Sequence, residues 1–325
     1  MRYIYNPSLD PAFNLAAEEW LLTGSRDDIF MLWRNAPAVI VGRNQNTLAE
    51  IDEDFVRERN IPVVRRLSGG GAVFHDLGNI NFTFITDGGP AGGVDFERFT
   101  RPIREALRLM GVDCVFSGRN DLLIDGLKVS GNAQHFFENR VLHHGTLLFA
   151  SDMADLSGAL RPDPEKFRHK AVKSVSARVT NISSHLNVRM EPTDFIRALM
   201  EHVAGDTDTD RMTLSGEETA AIEELAETRY RTWEWNFGAS PAYNFSRRTR
   251  TPGGLLDANL LVNRGVILEA RLFGDYFGVR DVRELETRIE GGRHERAALE
   301  QRLTGVPVDD YLHGVTLPML LDCLF

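Results

Sequence analysis

Residues 65–76 read RRLSGGGAVFHD, which puts two guanidinium groups, a hydroxyl, three glycines, an imidazole and a carboxylate into one short stretch. Gly69, Gly70 and Gly71 stand between a strand-like run and an apolar AVF. Residues without a Cβ tolerate positive φ and let backbone N–H groups come close to a ligand. Successive N–H groups turned inward make an anion-binding concavity, and Arg65 and Arg66 can add charge-assisted, bidentate bonds to phosphate or carboxylate. The chemistry this suits is the handling of a small anionic molecule. No Gly-Lys-Ser/Thr triplet follows the glycines, and the pattern is not GxGxxG, so neither familiar nucleotide loop is present. On glycines alone, a flexible hairpin fits equally well.

Further chemistry-bearing residues lie downstream. NDLLIDGLKVSGNAQ sets Lys128 between a strand-forming leucine and valine, three residues before Gly131, and HHGTLLF carries His143 and His144. Each in isolation reads as a solvated strand lysine or a satisfied histidine. Cys114, in the apolar run VDCVF, reads as a buried strand cysteine rather than a catalytic thiol. Cys323 is distant from it, and two such cysteines define neither a disulfide framework nor a metal spacing, which points to a reducing compartment.

The elements that must position these groups follow from periodicity and turn chemistry. The chain has 325 residues, enough for two domains or one large one, and 42% hydrophobic residues provide for a core. No run approaches the ~18 apolar residues of a membrane span, and MRYIYNPSLD lacks the pattern of a secretory signal. The net charge of −10 argues against a general nucleic-acid binder. Basic residues nonetheless gather at Arg65 and Arg66 and again at Lys166, Arg168, His169, Lys170, Lys173 and Arg178. Much of the acid lies in SGEETAAIEELAE, where Ser215 and Glu218 fit a helix capping box.

DPAFNLAAEEWLLTG is expected to be a helix capped by Asp10 with Pro11 in its first turn. IFMLWRN, AVIVGRNQN and IPVVRR read as strands, and LAEIDEDFVRERN as one helix. NINFTFI alternates strictly, which predicts a strand with one buried face. FERFTRPIREALRLMG is a helix closed by Gly111. VDCVFSG, NDLLIDG, LKVSGNAQ and HHGTLLFA follow as strands separated by glycines, and TDFIRALMEHVAG is a later helix. Antiparallel meanders with helices on one side predict an α+β class rather than a doubly wound sheet. Composition shifts around SPAYNFSRRTRTPGG, so a boundary near 247 is expected, dividing the chain into domains 1–246 and 247–325.

Seven stretches occur in one order: GRNQN (42–46), RRLSGGGAVFHDLGN (65–79), SGRNDLL (117–123), LKVSGNA (127–133), HHGTLL (143–148), SVSARVTNI (174–182) and WEWNFGASPAY (233–243). Together they resemble the lipoate–protein ligase family, over essentially the whole chain. The C-terminal run containing GDYF is similar to the accessory domain of its single-chain members. The resemblance implies a mixed-sheet α+β catalytic domain of the biotin/lipoate ligase type followed by a small α+β accessory domain. It implies two half-reactions: lipoate and ATP, with Mg²⁺, form lipoyl-AMP and pyrophosphate, and the lipoyl group then passes to a lysine of an acceptor domain. The acceptors implied are 2-oxoacid dehydrogenase complexes and the glycine-cleavage H protein.

Residue by residue, the resemblance makes Lys128 the central catalytic group, beside both acyl carbonyl and α-phosphate. It assigns Arg66, Gly70, Gly71, Ala72, Val73, Phe74, Asn79, Asn120, Asp121 and His144 to the nucleotide or adenylate. Arg43, Gly71, His75 and Lys128 fall to the lipoate. Asp121 is the one candidate metal ligand, and reads equally as a strand-edge partner of Lys128. For the general base that frees the acceptor amine, Asp121, His144 and the adenylate phosphate all stand open. The basic segment 165–179 is expected either to be a solvated loop or to close over the adenylate and exclude water. A transferase using pre-formed lipoyl-AMP, and a non-catalytic binder of lipoyl domains, are the alternatives. A monomeric cytoplasmic protein, bound to neither nucleic acid nor membrane, is expected.

Overall fold

The computed structural model describes residues 1–45, 47–88, 93–118, 120–160, 179–205, 213–237, 245–263 and 265–325. Segment 161–178, including the basic residues Lys166 to Arg178, lies outside the described residues.

A seven-stranded sheet organises the larger part, in the order β1-β2-β6-β10-β9-β8-β7. Its strands are β1 (Arg2–Asn6), β2 (Ile29–Trp33), β6 (Asn79–Asp87), β7 (Val115–Ser117), β8 (Asp121–Ile124), β9 (Leu127–Phe137) and β10 (Arg140–Leu148). β1 and β2 are parallel, and the remaining neighbours are antiparallel. A small sheet, β4-β3-β5, is made of β3 (Ala38–Val41), β4 (Val63–Arg65) and β5 (Val73–His75). The glycine stretch is the connection between β4 and β5. The class is α+β.

Helices cover both faces of the large sheet, where a single covered face was expected. One side packs Phe30, Leu32, Phe82 and Phe84 against Phe99 and Ile103 of the helix Phe96–Leu109 and Phe195 and Leu199 of the helix Pro192–Ala204. The other packs Ile29, Met31, Trp33 and Ile85 against α1 (Pro11–Gly24) and Ile222 and Tyr230. β2 is apolar at every position, so both its faces must be buried. Asp10 caps α1 through Ala12 N, and Pro11 occupies the first turn. The capping box at Ser215 and Glu218 is formed.

Two further expectations change. The single helix foreseen over 48–60 is broken into Thr47–Glu50 and Glu53–Glu58, because Ile51 bridges to Leu160 and Asp52 caps a new start through Phe55 N. The alternating β6 has no solvent face: every residue but Asp87 is buried. Hydrogen bonds satisfy Thr83 and pair Asn79 with Asn81, while among the described residues Asn81 Nδ2 and Asn79 Oδ1 are left open. Trp33 Nε1 donates to Thr83 Oγ1 at 2.9 Å, Thr83 donates to Glu18 Oε1 at 2.6 Å, and Asn79 Nδ2 donates to Asn81 Oδ1 at 2.9 Å.

The C-terminal part builds its own core on a three-stranded sheet of β11 (Phe245–Thr251), β12 (Gly254–Asn263) and β13 (Val266–Gly274). Three helices, Val282–Ile289, Arg296–Leu303 and Leu317–Leu324, cover it. Position 247 falls inside β11, within the run SPAYNFSRRTRTPGG. This part lies against the glycine stretch: Gly70 N donates to Tyr276 O at 3.3 Å, Gly274 N donates to Asn44 O at 2.6 Å, and Arg43 pairs with Asp281 at 2.8 Å.

Candidate active site

A cavity of about 290 Å³ opens between the large sheet and the glycine stretch. Its floor is one transverse row across four strands and the next. Trp33 of β2 faces Asn81 of β6, which faces Thr146 of β10. Thr146 Oγ1 accepts from Gly131 N of β9 at 3.2 Å, and Gly131 faces Asp121 of β8. Successive strands add ~4.8 Å each, so the row is a ruler laid across the sheet. One end is apolar, with Trp33, Leu15, Ile40 and Val73; the other is charged, with Lys128 and Asp121. Phe277 and Asp275 of the C-terminal part also line it.

Lys128 sits at the charged end. Its ammonium lies 2.7 Å from Asp121 Oδ1, and both side chains are about one-third exposed. Gly131 makes room for it: a Cβ there would stand 2.9 Å from Lys128 Nζ. The strand-edge pairing foreseen for Asp121 is therefore formed. Lys128 O accepts from Thr180 N at 3.0 Å, which ties β9 to the end of segment 161–178.

The two arginines divide their work. Arg65 is saturated by protein acceptors: Gly42 O, Arg43 O and Gln45 O on Nη1, Thr47 Oγ1 and Asn236 O on Nη2, and Trp235 O on Nε, at 2.6–3.2 Å. It clamps loops and has no donor left for phosphate, contrary to the expectation for the pair. Burial lowers its pKa to about 10, so it stays charged at neutral pH. Arg65→Met is expected to destabilise the fold by ~3 kcal/mol, from stranded carbonyls and lost charge-assisted bonds. A melting temperature lowered by several degrees would show it, and an unchanged one would contradict it.

Arg66 reaches the cavity while bracing its roof. Its Nη2 donates to Gly69 O at 2.6 Å and Gly71 O at 2.9 Å, its Nη1 to Ile40 O at 3.2 Å and its Nε to Ser68 Oγ at 3.0 Å. Gly70 takes φ +89°, a left-handed conformation that glycine adopts without strain. Behind Arg66 runs a buried relay: Ser68 Oγ lies 2.6 Å from His144 Nε2, and His144 Nδ1 lies 2.9 Å from Glu18 Oε2. Ser68 accepts from Arg66 and is fully buried, so this Ser-His-Glu set orients the guanidinium rather than exposing a nucleophile.

Asn35 Nδ2 donates to His75 Nδ1 at 3.0 Å, which leaves the proton on Nε2. Burial first, then Arg66 and His144, push its pKa down to about 3. His143 is a core residue stacked between Phe82 and Phe99, held neutral by burial and by Gln134 and Asn132. Both histidines bind a proton in the unfolded chain below pH ~6.5 and refuse it when folded. Stability is therefore full above that pH and falls as pH drops toward 3, at ~1.4 kcal/mol per unit for each group. The urea midpoint at pH 5 is expected below that at pH 7, and a flat profile would contradict this.

Of the expected site residues, Arg66, Gly70, Gly71, Ala72, Val73, His75, Asn120, Asp121, Lys128 and His144 line the cavity. Three side chains lie elsewhere. Phe74 packs with Val39 and Val41, because residues alternate along β5 and its neighbours Val73 and His75 take the cavity side. Asn79 is fully buried behind Asn81. Arg43 pairs with Asp281 and lines a separate cavity below His135 and Arg280. Cavity residues outside the motifs are Leu15, Trp33, Ile40 and Asn81, with Glu18 behind; Thr146, Asp275 and Phe277 lie within HHGTLL and GDYF without a role assigned to them. A buried Glu in an apolar helix, and polar residues alternating along β6, were the available signals. Cys114 is buried and its pKa rises to about 11, so it is no nucleophile.

A glycine stretch over an antiparallel-rich sheet, with a lysine at one end of the cavity between them, defines an α+β protein built around a small-molecule cavity. Residues 10–204 match the model of the lipoyl protein ligase A/B catalytic domain, and residues 240–324 that of the bacterial lipoate protein ligase C-terminus. The chain belongs to the lipoate–protein ligase family. It is 41% identical to lipoate–protein ligase 1 of Staphylococcus aureus (strain Mu50 / ATCC 700699), over 97% of each chain. The crystal structure of P. falciparum LipL1 in complex with lipoate shares its fold, with a TM-score of 0.80 over 99% of this chain and 97% of that one, at 23% identity. A lipoate–protein ligase A bound with ATP matches with a TM-score of 0.60 at 26% identity, covering 74% of this chain and 99% of the other.

Proposed function

We propose that this ATP-dependent lipoate–protein ligase forms lipoyl-AMP from lipoate and ATP within the 290 Å³ cavity, releasing pyrophosphate, and passes the lipoyl group to an acceptor lysine at its charged end, releasing AMP. The observation that carries this is the slot itself, polar at Lys128 and Asp121 and apolar at Trp33. Attack of a carboxylate on an α-phosphate brings two anions together, and Lys128 is the ammonium available to neutralise both. It first shares charge with the phosphorus oxygens and then with the carbonyl oxygen as the amine attacks, stabilisation worth ~3–4 kcal/mol. The glycine backbone is braced by Arg66, and apart from Gly70 N, which Tyr276 O takes, its N–H groups serve the phosphates. Ala72, Val73 and Asn120 complete the adenylate walls.

Magnesium typically arrives with the triphosphate and takes one or two carboxylates. Among the described residues no group of three metal-type side chains is present; of the two cavity carboxylates Asp275 accepts from Leu255 N, and Asp121 is the one that fits this part. The ion would screen the phosphate charge there, and Lys128 would be released from Asp121 to face the acyl group. The acceptors we propose are lipoyl domains of 2-oxoacid dehydrogenase complexes and the glycine-cleavage H protein, met by a monomer in the cytoplasm. Among the described residues no helix is long and apolar enough to cross a membrane. We place the division between catalytic and accessory domains ahead of β11, before Phe245.

Incubation with lipoate, ATP, Mg²⁺ and an isolated lipoyl domain tests the reading by mass. Addition of a lipoyl group that depends on ATP is the expected result. Transfer only from supplied lipoyl-AMP would make the chain a transferase, and no transfer from either would overturn the proposal.

A further inference from the structure

The apolar end of the slot holds two polar groups that the walls around it do not require. Asn81 is 2% exposed and His75 is 3% exposed, yet among the described residues Asn81 Nδ2 and His75 Nε2 have no hydrogen-bond partner. Both side chains line the cavity beside Trp33: Asn81 is its cross-strand neighbour, and the His75 ring meets it edge-on with centroids 6.1 Å apart. Each group is fixed from behind. Asn79 donates to Asn81 Oδ1 and so turns Nδ2 forward, while Asn35 donates to His75 Nδ1 and so puts the proton on Nε2. Asn35 is itself held, since its Oδ1 accepts from Asn14 at 2.8 Å. Two oriented N–H donors thus face the part of the slot otherwise walled by Leu15, Ile40 and Val73.

Leaving buried donors unmade is costly, so such a pair implies an acceptor in the occupant. The ruler of strands locates it. Lys128 Nζ lies over Gly131, and Asn81 is two strands away, about 10 Å. An extended chain covers ~1.2 Å per bond, so the seven bonds of an eight-carbon acid span ~8 Å. A carboxylate at Lys128 therefore brings its last carbons to Asn81 and Trp33. In lipoate those carbons carry the dithiolane sulfurs, which are weak acceptors like a thioether. In octanoate they carry only hydrogen.

We propose that Asn81 and His75 form a sulfur-recognising end to the acyl slot, donating N–H···S hydrogen bonds to the dithiolane and so favouring lipoate over octanoate. The inference rests on the ligase reading above and deepens it to substrate choice. A hydrocarbon tail would leave both donors buried and unpaired, which is how a site built to bond a polar group rejects the analogue lacking it.

The test measures pyrophosphate release from ATP with lipoate and with octanoate, for wild type and Asn81→Leu, which keeps size and removes the donor. The wild type is expected to prefer lipoate in kcat/KM, and Asn81→Leu to lower that preference about tenfold with octanoate turnover held or raised. Octanoate turnover is the internal control for folding, and a purely structural role would move both acids together. If Asn81→Leu is inactive toward both, the smaller Asn81→Ala carries the same comparison. A wild type indifferent to the two acids, an unchanged preference in the variant, or parallel loss in both variants overturns the inference. A wild type that releases no pyrophosphate with either acid overturns the ligase reading instead.

Discussion

Lys128→Ala is expected to lower lipoate-dependent pyrophosphate release by ~10²–10³-fold, the loss that follows removal of one well-placed donor to developing charge. Among the described residues the ammonium pairs with Asp121 at 2.7 Å and, unlike the Arg66 guanidinium, braces no backbone carbonyl. The defect should appear in kcat as well as kcat/KM, because the charge it meets is greatest in the transition state. Lys128→Arg tests position against charge. A guanidinium keeps the charge, but Gly131 leaves room for an ammonium 2.9 Å from its missing Cβ, so the larger group is expected to recover little. Stability should hardly change, since a pair about one-third exposed contributes little to folding. Wild-type rates in Lys128→Ala would remove it from the mechanism.

Arg66→Ala should cost both activity and stability. Three backbone carbonyls lose a charged donor, that of Ile40 buried and those of Gly69 and Gly71 partly buried. A loss of ~3 kcal/mol or more follows from stranding such groups. The glycine stretch then loses the bonds that hold its shape, and kcat/KM for ATP is expected to fall ~10²-fold. Arg66→Lys keeps one charge but cannot reach Gly69 O, Gly71 O and Ser68 Oγ together, so it should resemble the alanine variant. Paired melting and kinetic measurements separate the effects. Full ATP affinity in a destabilised Arg66→Lys would make the residue a brace alone.

What sequence alone determined about this protein is local chemistry. Capping at Asp10 and Ser215 was written in residue types at fixed spacing, and both caps form as those residues dictate. The glycine stretch announced a backbone-lined cradle because only glycine makes that backbone available. The ordered motifs carried the family, and four of the seven, RRLSGGGAVFHDLGN, SGRNDLL, LKVSGNA and HHGTLL, contribute residues to the cavity.

Tertiary structure decided the rest, because burial and direction are properties of neighbours. Arg65 and Arg66 are adjacent and chemically identical, yet one is consumed by loop carbonyls and the other reaches the cavity; the strand alternation and the loops beyond β3 decide which. Asp121 offered metal and ion-pair readings, and the fold forms the ion pair by setting it 2.7 Å from Lys128. The polar residues of β6 predicted a wet face, and a second layer buried them to make a floor. Asn81 has no motif around it. Its meaning comes from lying two strands from Lys128, beside Trp33, a distance that exists only once the sheet has formed.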